Sequence, residues 1–152
     1  MSLRSANEIN QANSGKAFRQ APADKTFVQN MVREAHARRK DSQNKSVSTG
    51  LRIDACHDAA LMLSLAVLNA GGLRGTAAPG HHANALEAAC QAVGAPLTVF
   101  DELDAVLRLR NTKYDGSFLS EQDLKTADAA YVRFEPLVMD WFEKKHSALF
   151  KP

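Results

Sequence analysis

The fold is decided by residues 48–71, which read STGLRIDACHDAALMLSLAVLNAG. From Ala59 to Leu68 this stretch is apolar on nearly every side of a helix, a pattern typical of a helix surrounded by neighbours. Ser48 is a suitable N-cap residue, and Gly71 is a suitable C-terminal stop. We therefore predict that these residues form the central helix of the domain.

The whole chain has 152 residues, of which 45% are apolar, and this is enough for one hydrophobic core. Strand-like alternation is hard to find, while the candidate helical segments are long. We predict an all-α fold, an up-and-down bundle of four to five helices that forms a single domain over residues 23–150. Residues 1–22 are rich in Ser, Asn, Gln and Ala without an apolar period, and we expect a disordered tail there.

Helix start and stop signals predict further helices over residues 22–40, 81–94 and 96–116, and a last helix from residue 120 onward. Ser120 and Asp123 form a capping arrangement at the start of this last helix. Pro136 lies inside its apolar pattern and lacks the N–H group for a helical hydrogen bond. We therefore expect a kink or a restart near Glu135.

The composition argues against a membrane protein and is neutral on binding partners. The formal charge of +2 is too small to indicate nucleic-acid binding by bulk electrostatics. No apolar run reaches the roughly 18 residues of a membrane span, and the first residues lack the apolar segment of a signal peptide, so we expect a cytoplasmic protein with no membrane contact. Cys56 and Cys90 lack the spacing of a zinc site or a redox motif, and are expected to be reduced core residues.

A charged residue interrupts the apolar face of the helix that contains residues 103–116, LDAVLRLRNTKYDG. Arg110 falls between apolar positions spaced by three and four residues, and Tyr114 continues the same face. Leaving a buried guanidinium without a partner costs roughly 3–5 kcal/mol. Asp54 and Asp58 share one face of the central helix at a spacing of four residues, and are candidate partners for Arg110.

Other polar residues could serve metal or anion binding. Asp54 and His57 form a pair on the central helix that His81 or His82 could complete as a metal site. The two histidines at a helix start could instead help to hold an anion. A Glu-x-x-His pair near the chain end has no second copy, so the two-metal site of helical bundles is not indicated. We predict neither a metal nor a cofactor.

Three short motifs resemble the HEPN superfamily over about residues 48–116. They are Arg52-Ile-Asp54-Ala-Cys-His57-Asp58, Gly80-His81-His82, and Arg110-Asn111 followed by Tyr114-Asp115-Gly116. The resemblance implies a small helical bundle that is often dimeric and often encoded beside a nucleotidyltransferase. It also implies that the arginine marks a cleft between two subunits.

Ribonucleases of this family place a histidine a few positions after the arginine and the polar residue. Arg110 and Asn111 match the first two positions, but Tyr114 and Asp115 stand where the histidine is expected. We therefore expect no group near Arg110 to titrate close to neutral pH, and general acid–base cleavage lacks an obvious base. The resemblance then implies a member that binds without cutting.

Our leading hypothesis is a homodimeric HEPN-like domain that binds a nucleotide, RNA or a nucleotidyltransferase partner, as in a toxin–antitoxin pair. Arginine can hold a phosphate through two hydrogen bonds, an amide can add more, and a tyrosine ring can stack on a base. The expected ligand-binding residues are Arg110, Asn111, Tyr114 and Asp115, and the expected supporting residues are Asp54, His57, Asp58, His81 and His82.

Two other hypotheses remain open. In the first, the protein is a structural or regulatory dimer in which Arg110 only pairs with Asp54 or Asp58 inside the bundle. In the second, it is a metal-independent endoribonuclease that uses His57 or His81 as its base.

Overall fold

The computed structural model describes residues 2–150, apart from the side chain of Lys113. The described chain is all-α, as predicted, with one small sheet. Its α-helices are α1 (Ala6–Ala12), α2 (Lys25–Ser42), α3 (Thr49–Ala70), α4 (His81–Ala92), α5 (Leu97–Asn111) and α6 (Glu121–Lys145). The sheet pairs β1 (Phe18–Gln20) with β2 (Leu73–Gly75), and short 3-10 helices cover Thr112–Asp115 and Ser147–Phe150.

The predicted central helix is confirmed as α3, which packs against α2, α4, α5 and α6. Its second half is buried on several sides, and Leu63 and Ala66 are fully buried there. The buried hydroxyl of Ser64 donates to the carbonyl oxygen of Ala60 at 2.9 Å, so it leaves no unsatisfied group in the core. Because α3 is covered by four other helices, it fixes where each of them lies.

The predicted capping arrangement at the start of α6 is also confirmed. The backbone N–H of Asp123 donates to the Ser120 hydroxyl at 3.1 Å, and the backbone N–H of Ser120 donates to the Asp123 carboxylate at 2.8 Å. The restart expected near Glu135 is wrong, because α6 continues through Pro136. Val132 is exposed, so water can hydrogen-bond the carbonyl group that Pro136 cannot reach.

The prediction of a disordered tail over residues 1–22 is wrong for the described part of that segment. It forms α1 and β1, and Ile9 and Phe18 are buried against Leu68 of α3 and against Ala85 and Ala88 of α4. Apolar contacts therefore dock the segment on α3 and α4. A capping box between Ser5 and Glu8 starts α1, and this pattern was present in the sequence.

An ion pair also fastens the N-terminal segment to α4. Arg4 donates to the carboxylate of Glu87 from its Nη2 at 2.8 Å, from its Nε at 3.0 Å and from its backbone N–H at 2.8 Å. Burial alone would raise the pKa of Glu87, but the hydrogen bonds from Arg4 outweigh it and hold this pKa below its usual value. Arg4 is thus fully committed to one carboxylate.

Ile9→Ala tests whether the N-terminal segment is part of the folded domain. Because the Ile9 side chain is fully buried, the substitution should lower the free energy of unfolding by about 2–5 kcal/mol. Urea denaturation measures this change. Leu51→Ala is the control, since Leu51 is exposed on α3 and its loss should change stability by only about 0.5 kcal/mol. Equal, small effects of both substitutions would contradict the docking of the segment.

Candidate functional site

A polar groove lies between the start of α4 and the end of α5, and we call it the histidine groove. Its volume is about 270 Å³, and it is lined by Gly80, His81, His82, Ala83, Leu107, Arg110 and Asn111. Gly80 is the N-cap of α4 in a left-handed conformation, with φ 75°, which glycine adopts without strain. The structure thus brings together the Gly80-His81-His82 and Arg110-Asn111 motifs, which lie far apart in the sequence.

Arg110 is paired, but not closed off. Its Nε lies 3.7 Å from Oδ1 of Asp54, which confirms Asp54 as its partner but exceeds hydrogen-bond distance. The side chain keeps 26% of its surface exposed, and no described residue accepts a hydrogen bond from it. Arg4, in contrast, forms several short bonds to one carboxylate. Because Nε of Arg110 is itself buried, the Nη groups are the donors that remain open to a ligand in the groove.

His57 lies behind the groove on α3 and is buried. Its Nδ1 is 3.4 Å from Oδ1 of Asp58, and its ring centroid is 5.4 Å from that of His82. Its Nε2 is buried and has no hydrogen-bond partner among the described residues. An unsatisfied buried polar atom costs about 1–3 kcal/mol, so packing alone does not account for this histidine.

The charge of the groove depends on its histidines. Burial lowers the pKa of His82, and the neighbouring His81, His57 and Arg110 lower it further, while Asp58 opposes them. His82 is therefore neutral near pH 7. The hydrogen bond from His57 lowers the pKa of Asp58, which stays charged. Since Asp54 and Asp58 offset the charge of Arg110, protonation of His82 adds positive charge to the groove.

This arrangement corrects one expectation from the sequence. We expected no titratable group near Arg110 with a pKa close to neutral, because the following residues lack a histidine. The structure places His81 and His82 in the same groove as Arg110, since α4 begins beside the end of α5. The resemblance already groups these two histidines with Arg110 as supporting residues, although about 30 residues separate them along the chain.

A smaller, more apolar pocket adjoins the histidine groove and shares His81 and His82 with it. This apolar pocket has a volume of about 210 Å³, and its other lining residues are Leu61, Leu65, Gly75, Thr76 and Ala85. Nδ1 of His81 donates to the carbonyl oxygen of Ala78 at 3.1 Å, which orients the ring at the junction. The sequence analysis did not identify this pocket, although Leu61 and Leu65 share a face of α3 at a helical spacing. The two cavities together suit a ligand with an anionic end and an apolar end.

Two of the expected ligand-binding residues lie elsewhere. The helix expected to reach residue 115 changes at Thr112 from α to 3-10 geometry, and Tyr114 and Asp115 lie on that turn. A 3-10 helix has three residues per turn, so Tyr114 rotates away from the face that holds Arg110. Tyr114 is 85% exposed and does not line the groove. The expectation that Tyr114 continues the core-facing stripe is therefore wrong.

The described part of the chain contains neither a cluster of metal-binding side chains nor a disulfide. Within residues 2–150, no group of three or more His, Cys, Asp or Glu side chains is arranged to hold a metal ion. Cys56 and Cys90 are buried and unpaired, as predicted, and burial raises the pKa of Cys90 to about 12. No helix in this range is long and apolar enough to cross a membrane.

His82→Gln tests the electrostatic description of the groove. The pKa of His82 is lowered in the folded state, so below about pH 6.5 the unfolded chain binds more protons at this residue. Stability should therefore fall as the pH falls from 7 to 5, and the fall should be smaller in the variant. Urea unfolding at several pH values measures it. The same pH dependence in both proteins would contradict the described burial of His82.

Comparison with models of known protein families gave no match for this chain, and comparisons with curated proteins and with solved structures gave none either. The resemblance to the HEPN superfamily therefore depends on the three motifs in residues 52–58, 80–82 and 110–116. The function must be argued from the geometry of the groove.

Proposed function

We propose that the protein is a HEPN-like domain that binds a nucleotide or RNA, without cutting it, through a phosphate group in the histidine groove. The observation that carries this proposal is the geometry of Arg110. One edge of its guanidinium faces Asp54 at 3.7 Å, while the side chain also lines an open groove. Asp54 orients the arginine, and the remaining donors are available to phosphate oxygens.

Other donors surround the same position. No side chain caps α4, and the N–H groups of His81 and Asn84 donate to the carbonyl oxygens of Ala78 and Gly80. The N–H groups of His82 and Ala83 are left for a ligand, and the N-terminal end of the helix dipole favours an anion. Asn111 follows Arg110 in the lining and adds an amide. Protonated His82 would supply further positive charge. A phosphate in the groove would thus meet donors from both α4 and α5.

The apolar pocket supports the choice of a nucleotide over a simple anion. Leu61, Leu65 and Ala85 offer apolar contacts to a base, and the two histidine rings stand between this pocket and the groove. Flat aromatic side chains stack on bases with little dependence on sequence. A nucleotide would place its phosphate beside Arg110 and its base beside Leu61 and Leu65.

The ion pair of Arg110 with Asp54 favours a second candidate, a structural or regulatory bundle in which this pair only joins α3 and α5. Endoribonuclease activity is a third candidate, because His81 and His82 place imidazoles beside Arg110. Incubating the purified protein with RNA tests the third candidate. A protein that binds RNA without cutting it leaves the RNA intact, whereas an endoribonuclease produces fragments.

We also propose, from the HEPN resemblance, a cytoplasmic homodimer and a nucleotidyltransferase partner. One large apolar residue that follows α5, Phe118, is 91% exposed and offers such a contact. Burying rings of this size stabilises protein interfaces, and aromatic residues are enriched there.

Arg110→Gln tests the binding function. The substitution removes charge-assisted hydrogen bonds, and should weaken the binding of ATP and of a short single-stranded RNA roughly 10- to 100-fold. Isothermal titration and fluorescence anisotropy measure these affinities. Arg108→Gln removes the same charge from α5 at an exposed position outside the groove, and should have little effect.

Equal weakening by both substitutions would show that binding depends on bulk charge and would contradict a defined site. If Arg110→Gln unfolds the protein and the native protein binds neither ATP nor RNA, the structural candidate is favoured instead. Asn111→Ala provides a milder variant, since Asn111 is exposed and lines the groove.

The binding should strengthen as the pH falls. A bound phosphate favours the charged form of His82, whose pKa is lowered in the free protein, so binding is coupled to proton uptake. We expect the affinity for a short single-stranded RNA without terminal phosphates, whose phosphodiesters keep their charge over this range, to rise roughly fivefold or more between pH 8 and pH 5.5. His82→Gln should reduce this rise. An affinity that is constant or falls over this range would contradict phosphate binding beside His82.

A further inference from the structure

A second polar cavity, which we call the basic cavity, lies between the two-stranded sheet and the start of α2. Its volume is about 630 Å³, and it is lined by Arg19, Asp24, Lys25, Arg74 and residues 21–23. The lining holds three cations and one carboxylate, a formal excess of two positive charges. None of these residues lines the histidine groove.

Two of the cations face each other across the sheet. Arg19 on β1 and Arg74 on β2 are direct cross-strand partners, so their side chains project from the same face. Like charges at directly opposite positions destabilise a strand pair. Arg19 is exposed and makes no ion pair or hydrogen bond through its side chain within residues 2–150. The repulsion is therefore not relieved by a carboxylate at Arg19.

Arg74 is held in a fixed orientation. Its guanidinium carbon lies 3.8 Å from the centroid of the Phe27 ring, and its Nη2 lies 3.9 Å from Oδ2 of Asp24. The second distance is too long for a hydrogen bond. Oδ1 of Asp24 already accepts from the backbone N–H of Phe27 at 3.1 Å, as the N-cap of α2. Stacking therefore orients Arg74 while most of its donors stay uncommitted.

The wall between the strand and the helix is fixed by a buried amide. Asn69 is fully buried, its Oδ1 accepts from the backbone N–H of Asp24 at 2.9 Å, and its Nδ2 donates to the carbonyl oxygen of Pro22 at 3.3 Å. The backbone N–H of Ala21 donates to the carbonyl oxygen of Gly72 at 2.9 Å. A wall that is already ordered loses little conformational entropy when a ligand binds.

We propose that the basic cavity binds a small phosphate-bearing anion with two or more negative charges, through Arg19 and Arg74. The planar fork of each guanidinium matches two phosphate oxygens, and neighbouring forks suit a pyrophosphate group or a terminal phosphate. The anion neutralises the repulsion between the two arginines. A free polyphosphate and the phosphorylated end of a nucleic acid share this chemistry. This site is independent of the histidine groove.

Titration with inorganic pyrophosphate tests the proposal, with the full chain carrying Arg110→Gln so that the groove contributes little. Adding Arg19→Gln or Arg74→Gln should weaken binding at least about tenfold. Arg33→Gln is the matched control, because Arg33 is exposed on α2 and does not line the cavity. Absence of pyrophosphate binding, or equal weakening by the control, would overturn the proposal.

A short RNA with and without a 5′-phosphate distinguishes the two sources of the anion. Tighter binding of the phosphorylated RNA, lost with Arg19→Gln, assigns the cavity to nucleic-acid ends. Binding of pyrophosphate with no difference between the two RNAs assigns it to free polyphosphates.

Thermal unfolding separates ligand binding from a structural role of Arg19. In buffer without phosphate, Arg19→Gln should leave the Tm unchanged or raised, and Arg19→Glu should raise it by about 1–4 °C because it creates an opposite-charge pair with Arg74. With Arg110→Gln present in every protein, so that the histidine groove contributes little, pyrophosphate should raise the Tm of the chain that keeps Arg19 but not of either Arg19 variant. A lower Tm for Arg19→Gln in phosphate-free buffer would overturn the proposal.

Discussion

The structure depends on the burial of α3 on nearly all of its sides. A helix that is apolar all round is stable in water only when other elements cover it, and here α2, α4, α5 and α6 do so. The acidic residues of its first half are partly exposed and lie beside these neighbours. Asp54, His57 and Asp58 are therefore brought against the start of α4 and the end of α5, where the histidine groove forms.

The arginines of this protein differ in how many hydrogen bonds their guanidinium groups donate to carboxylates. This difference distinguishes structural arginines from arginines that are candidates for ligand binding. Arg4 is tied to Glu87 by several short hydrogen bonds and fastens the N-terminal segment. Arg110 and Arg74 approach their carboxylates only at 3.7 and 3.9 Å, and both line cavities. A guanidinium that is oriented but not fully bonded retains donors, and such donors are what a phosphate requires.

The sequence predicted the features that depend on local pattern. The bounds of α3, the capping box of α6 and the pairing of Arg110 with Asp54 follow from helical periodicity and from the cost of an unpaired charge. It failed where tertiary contacts or a local change in geometry decide. Ile9 and Phe18 order a polar segment through contacts that composition does not reveal, and a 3-10 turn moves Tyr114 out of the groove. The HEPN resemblance grouped His82 with Arg110 as site residues, but it could not show that Tyr114 and Asp115 lie outside the groove.

The connection between α3 and α4, GGLRGTAAPG, contributes residues to both candidate sites, although its sequence is typical of a simple loop. Its strand β2 carries Arg74 into the basic cavity, and its end at Gly80 sets the first turn of α4, which carries His81 and His82. β1 holds this connection in place by pairing with β2, and Thr76 donates to the carbonyl oxygens of the N-terminal segment. In the described chain, β1 is the only sheet partner of this connection. The N-terminal segment, which the sequence analysis expected to be disordered, therefore helps to position one wall of each candidate site.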